Sequence, residues 1–199
     1  LRSKYGTDEH PNIDPTAIEP VDFVSRGEPL VDLVGADAPY DWIVASHVVE
    51  HIPDLVSFFQ DAERVLAPTG RLALVIPDRR YTFDHLGELT TTGQVLDAFL
   101  ERRTGPTPGQ AFDHYARFVT LGGSIAWSAA GEGPLEPFHP YEAARDAYAR
   151  ALAGDDFDGE LHCWRFTPES FRLLLDDLGD LGLTTLGVAA EHEPVGCEF

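Results

Sequence analysis

A chain of 199 residues, 43% of them hydrophobic, is long enough to enclose one sizeable core. Its formal net charge of -20 argues against a surface built to hold nucleic-acid phosphates or anionic lipid. No apolar run reaches the roughly 18 residues that a membrane-spanning helix needs, and residues 1–11 are too polar for a signal peptide.

Cys163 and Cys197 are far apart and sit in no paired motif, which points to a reducing, cytoplasmic setting. The chain opens at Leu1 and contains no methionine, so its N-terminus reads as cut.

Residues 1–20 carry Pro11, Pro15 and Pro20 without periodicity and form an irregular lead-in. Residues 21–24 are a short β-type run closed by Gly27, and residues 30–34 make one helical turn. Residues 41–46 are almost continuously apolar, as in a strand buried in a parallel sheet. Leu55, Phe58, Phe59, Ala62, Val65 and Leu66 then recur at helical spacing, with Asp54 as the cap and Pro68-Thr69-Gly70 as the stop. Residues 71–76 are a second buried strand, ended by Pro77. Strand, helix and strand in such short compass predict a right-handed parallel crossover, whose ligand-binding loops lie at the carboxyl ends of the strands.

Residues 84–160 break this alternation. Segments 94–103 and 141–152 read as helices between Gly/Pro-rich stretches, so the region is expected to be a helical insertion forming a lid. Thr167-Pro168-Glu169 opens another helix. Residues 183–190 and 195–199 read as two strands of an antiparallel hairpin across Glu193-Pro194.

Several polar groups fall at the strand ends. A histidine titrating near neutrality suits removal of a proton from a hydroxyl, which makes His51 a candidate, with Asp78 as a second. Arg79 can grip a carboxylate or phosphate in bidentate fashion, beside Tyr81. His114 and His162 lie in or beside the insertion, and Trp164 can wall an aromatic ligand. These five residues are the candidate substrate contacts. His47 and His51 are four apart, but Pro53 limits any helix there and the H-E-x-x-H order is absent, so no metal ligand is assigned.

The run Tyr40-Asp41-Trp42-Ile43-Val44-Ala45-Ser46-His47-Val48-Val49-Glu50-His51-Ile52-Pro53-Asp54 resembles the fourth-strand motif of small bacterial class I S-adenosylmethionine-dependent methyltransferases, an apolar strand followed by S-H-V-x-E-H-x-x-D. Arg64-Val65-Leu66-Ala67-Pro68-Thr69-Gly70-Arg71-Leu72 is similar to their R-V-L-x-P-G-G-x-L turn, with Thr69 in place of the first glycine. Trp164-Arg165-Phe166-Thr167-Pro168-Glu169-Ser170-Phe171 resembles the F-T-P-x-S-F start of their last helix.

The resemblance implies an α/β fold: a Rossmann-like, mostly parallel sheet with a C-terminal antiparallel hairpin, in a single domain over residues 1–199. It implies S-adenosylmethionine as cofactor, with Val24, Ser25 and Arg26 near its adenine and Ser46, His47 and Val48 near its methionine part. The family's glycine-rich loop is not visible and is expected upstream of Leu1. The reaction implied is methyl transfer to an O or N atom of a small-molecule or glycan-like acceptor. Two alternatives stay open: an inactive binding or scaffold module, and a metal-dependent enzyme using His and Asp residues of the insertion.

Overall fold

The computed structural model describes residues 14–17, 19–25 and 28–199. Residues 21–24 form no strand there and lie exposed, so the short β-type run has no strand partner among the described residues. Among the described residues the first α-helix is α1 (Leu30–Val34), where one helical turn is expected.

The apolar run that follows is strand β1 (Tyr40–Ser46), and Asp54 then caps helix α2 (Leu55–Val65). The Asp54 carboxylate accepts the Ser57 N–H at 3.0 Å and the Ser57 hydroxyl at 2.7 Å, which satisfies a helix-start donor. The α2 stripe Leu55, Val56, Phe59, Ala62 and Val65 is buried. Strand β2 (Leu66–Val75) begins directly after the helix, five residues earlier than the sequence suggests. Pro68-Thr69-Gly70 is therefore the irregular start of a strand, with a register shift between Tyr40 and Trp42. Gly70 permits this, because a Cβ there would lie 2.8 Å from the Tyr40 carbonyl oxygen. Beyond the shift β1 and β2 pair in parallel, from Trp42 opposite Arg71 to Ser46 opposite Val75.

The segment expected to be an insertion divides in two. Helix α3 (Thr92–Glu101) carries a capping box between Thr91 and Gln94 and puts Val95 and Ala98 into the main core. That core also holds Val49, Leu55, Val56, Phe59, Ile76, Trp164 and Phe166. Helix α4 (Pro108–Arg117) and helix α5 (Tyr141–Leu152) pack on each other around Ala111, Ala147, Phe157 and Leu161, a separate small core. Between them strands β3 (Val119–Leu121) and β4 (Leu135–Pro137) form an antiparallel pair. Helix α6 (Pro168–Asp180), capped by Thr167, returns to the main core through Phe171, Leu174 and Leu178.

The C-terminal hairpin is not formed as expected. Residues 183–190 make no strand; they run along α2. Gln60 donates to the Leu183 carbonyl at 2.9 Å, and the Glu63 carboxylate accepts the Leu186 N–H at 3.1 Å and the Thr184 hydroxyl. Side chains of α2 thus take backbone groups that a neighbouring strand would have taken. The chain end pairs instead with the continuation of β2: Ile76 and Phe199 exchange N–H···O bonds of 2.8 and 3.0 Å, and the Asp78 N–H donates to the Cys197 carbonyl at 2.8 Å.

The result is a mixed α/β chain with a two-stranded parallel sheet among the described residues; a full Rossmann-like sheet is not shown. One face of that sheet is open, with Trp42 60% and Val44 71% exposed. Parallel sheets are ordinarily covered on both faces. Among the described residues no helix is long and apolar enough to cross a membrane.

Candidate functional site

The carboxyl end of β1 turns sharply. The His47 N–H still donates to the Val75 carbonyl at 2.9 Å, completing the ladder. His47 itself has φ +52°, a left-handed conformation that a side chain adopts at a cost of about 1 kcal/mol. A 3-10 turn over Val49–His51 follows and pushes Val49 and Glu50 inward.

The polypeptide from 161 to 166 closes over this turn. The Glu50 carbonyl accepts N–H groups of Cys163 at 2.7 Å and Trp164 at 3.2 Å, and the Trp164 indole donates to the Ile52 carbonyl at 2.6 Å. These bonds set two histidines beside each other, the His51 and His162 rings meeting edge-on at 4.7 Å. His51 Nδ1 lies 3.2 Å from the Leu161 carbonyl oxygen and His162 Nδ1 lies 2.5 Å from Asp84 Oδ2. Both partners only accept, so in the neutral rings Nδ1 carries the proton and Nε2 is left bare. Arg165 Nε donates to the other Asp84 oxygen at 2.7 Å. The His162 N–H donates to His114 Nδ1 at 3.4 Å. Phe83, stacked on Phe118 at 4.1 Å, stands 4.8 Å from His162 and screens it from water.

Burial governs the charges here. It raises the Glu50 carboxyl above its ordinary value. It lowers His51, helped by the neighbouring His162, and lowers His114 to about 3, so His114 stays neutral. Burial would also raise Asp84, but the hydrogen bond from His162 and the charge of Arg165 outweigh it and hold Asp84 at about 2. Burial lifts the Cys163 thiol to about 12, which makes it inert.

Of the residues singled out from sequence, His51, His114 and His162 meet in this cluster, with His47 at its edge. The His47 Nε2 lies 2.7 Å from Glu198 Oε2. Ser46 is exposed and Val48 half-buried at the end of β1. Trp164 is 2% exposed and belongs to the main core rather than to an open wall. Asp78 is fully buried, and both its oxygens are taken by Arg80 Nε at 2.9 and 3.0 Å, so it is poorly placed to take a proton. Arg79 donates to the Gly87 carbonyl, and Tyr81 lies under the Arg80 guanidinium at 5.4 Å. Val24 and Ser25 are exposed, outside any strand, and Arg26 lies outside the described residues.

Glu50, Asp84 and Arg165 escaped the sequence reading. One signal for Glu50 was present: a carboxylate set among Val48, Val49 and Ile52 is placed to be pulled inward by its neighbours. Glu50, His51 and His162 each bring one donor atom within 4.8 Å of the others, a spacing that can hold a metal ion.

A family model described as a methyltransferase domain matches residues 5–179. The chain belongs to the methyltransferase-domain family. No curated protein and no solved structure matches it. The methyltransferase-domain match takes in β1, β2, the Glu50 turn and the 161–166 segment, and so every residue of the buried cluster. Membership supports a methyltransferase function, and the family generally uses S-adenosylmethionine.

Proposed function

We propose that this methyltransferase-domain chain transfers a methyl group from S-adenosylmethionine to an O or N atom of a small-molecule or glycan-like acceptor. The observation that carries this reading is the buried His51–His162–Asp84 cluster at the carboxyl end of a parallel strand pair. Open α/β sheets bind their ligands at that end.

Ser46, His47 and Val48 fit one border of the cofactor slot. Ser46 and His47 are exposed, the left-handed turn at His47 breaks the strand there, and the sheet face leading to Ser46 through Val44 and Trp42 is open and apolar. S-adenosylmethionine supplies an electrophilic methyl on a sulfonium. His51 is the best placed proton acceptor for an acceptor hydroxyl: its side chain is 26% exposed, and the Leu161 carbonyl leaves its Nε2 bare. Asp84 orients His162 alongside it. The strongly acidic chain favours a small or neutral acceptor over nucleic acid.

Calorimetric titration of S-adenosylhomocysteine into this chain, and into protein that carries the family's glycine-rich loop as well, is the test. Micromolar binding, about -8 kcal/mol, is expected where that loop is present, weakened by a bulky substitution at the strand end such as Ser46→Trp. Absence of binding to both would remove the active-enzyme reading and favour a binding or scaffold role.

A further inference from the structure

Glu50 is the member of the cluster for which folding gives no reason. Its side chain is 1% exposed, and both carboxylate oxygens are buried without a hydrogen bond. His47 Nδ1 at 3.5 Å and His51 Nε2 at 3.8 Å are near, yet neither makes a hydrogen bond to it. A buried carboxylate left in this way carries a heavy desolvation cost unless something positive sits against it.

The two imidazoles beside it are set as ligands are set. A carbonyl holds the Nδ1 proton of His51 and a carboxylate holds that of His162, so each ring is fixed in one tautomer with Nε2 as its open donor. Metal-binding histidines are almost always supported in this manner from the far ring nitrogen. Arg165 in turn pins the supporting Asp84. Two neutral imidazoles and one carboxylate suit zinc and its first-row neighbours, whereas magnesium and calcium prefer oxygen alone.

We propose that Glu50, His51 and His162 bind a divalent ion of the zinc class, with further coordination positions open on the His51 side. Around a tetrahedral ion with bonds of about 2.0–2.1 Å, donor atoms stand about 3.3 Å apart. The three donors here lie within 4.8 Å of one another, so the site has to contract around the ion as it binds. His47, 42% exposed, borders the opening. Resting on the methyl-transfer reading, the open positions would take the acceptor oxygen. Coordination to the ion would then make its hydroxyl acidic, and His51 would act as a ligand rather than as the base.

The test uses the 199-residue chain stripped with chelator, titrated with Zn2+ by calorimetry and with Co2+ by visible absorption. One tightly bound ion per chain and Co2+ ligand-field bands are expected. Glu50→Gln should weaken the ion by about tenfold or more. The same metal-free variant should unfold at the same or a higher temperature than the parent, because it removes a buried charge. That second readout separates loss of a ligand from loss of the fold. His162→Gln should also lose the Co2+ bands. No binding in the micromolar range, or binding that Glu50→Gln leaves intact, overturns the site. The S-adenosylhomocysteine titration is read separately: ion binding without cofactor-product binding to the loop-bearing protein leaves the metal site standing and sinks methyl transfer, and the reverse sinks the metal site alone.

Discussion

His162 Nδ1 stands 2.5 Å from Asp84 Oδ2, with both side chains under 10% exposed. Seventy-eight residues separate the two in sequence. The pair ties the segment after α5 to the loop after β2, and Arg165 on the second Asp84 oxygen makes it a three-residue network. Removing the shared partner leaves a buried cation without compensation.

Asp84→Ala should therefore destabilise the chain by about 3–5 kcal/mol. Asp84→Asn keeps the shape and one acceptor oxygen, and should cost less. Urea unfolding of the two variants against the parent measures both. Equal losses would show that charge is not what the network supplies.

Stability should also fall with acid through Glu63. Burial tends to raise its carboxyl, but the bonds it accepts from the Thr184 hydroxyl and the Thr185 and Leu186 N–H groups bring it below the ordinary 4.5. Above pH 4.5 the group is ionised folded and unfolded, and its contribution is complete. As pH drops further the unfolded chain takes up the proton first, and the contribution disappears as pH falls through the folded value. Glu63→Gln should flatten that part of the stability curve and, at pH 7, cost about 1–2 kcal/mol. An unchanged acid limb in denaturant midpoints over roughly 1.5 pH units on either side of 4.5 would rule Glu63 out as its source.

Gly70 and Gly93 make a matched pair. A methyl at Gly70 would meet the Tyr40 and Ala67 carbonyl oxygens at 2.8 and 2.9 Å, backbone atoms of β1 and of the start of β2 that can yield only by moving those strands. Gly70→Ala should cost about 1–3 kcal/mol. At Gly93, in the first turn of α3, the nearest atom is Thr91 Oγ1 at 3.8 Å, so Gly93→Ala should stabilise by about 0.4–1 kcal/mol. Thermal and urea unfolding should move in opposite directions for the two.

What could be read ahead of the structure was what local periodicity encodes. The β1–α2–β2 unit follows from an apolar run, an Asp54 cap and a 3.6-residue stripe, all within one stretch of chain. The α6 cap follows from Thr167 and Pro168. Periodicity also misled. Residues 183–190 carry a strand-like composition, yet Gln60 and Glu63 on α2 hold their backbone away from any sheet. Val21 and Phe23 have the residue types of a strand, and lie exposed without a strand partner among the described residues. In both segments a distant neighbour decides pairing, and composition carries no record of it.

By itself the sequence determined the family, the helix caps, the parallel crossover and the histidines worth watching, because each depends on residues close together in the chain. The tertiary structure decided which of those residues share one site. Folding buried Asp78 against Arg80 and put Trp164 in the core, taking both away from a ligand. It also brought Glu50 and His51 to His162, and His162 to Asp84. The physical reason is that the 161–166 segment closes on the Val49–His51 turn through backbone hydrogen bonds, and those bonds are available to any sequence. They leave no side-chain pattern to read, yet they bring the His51 and His162 segments together.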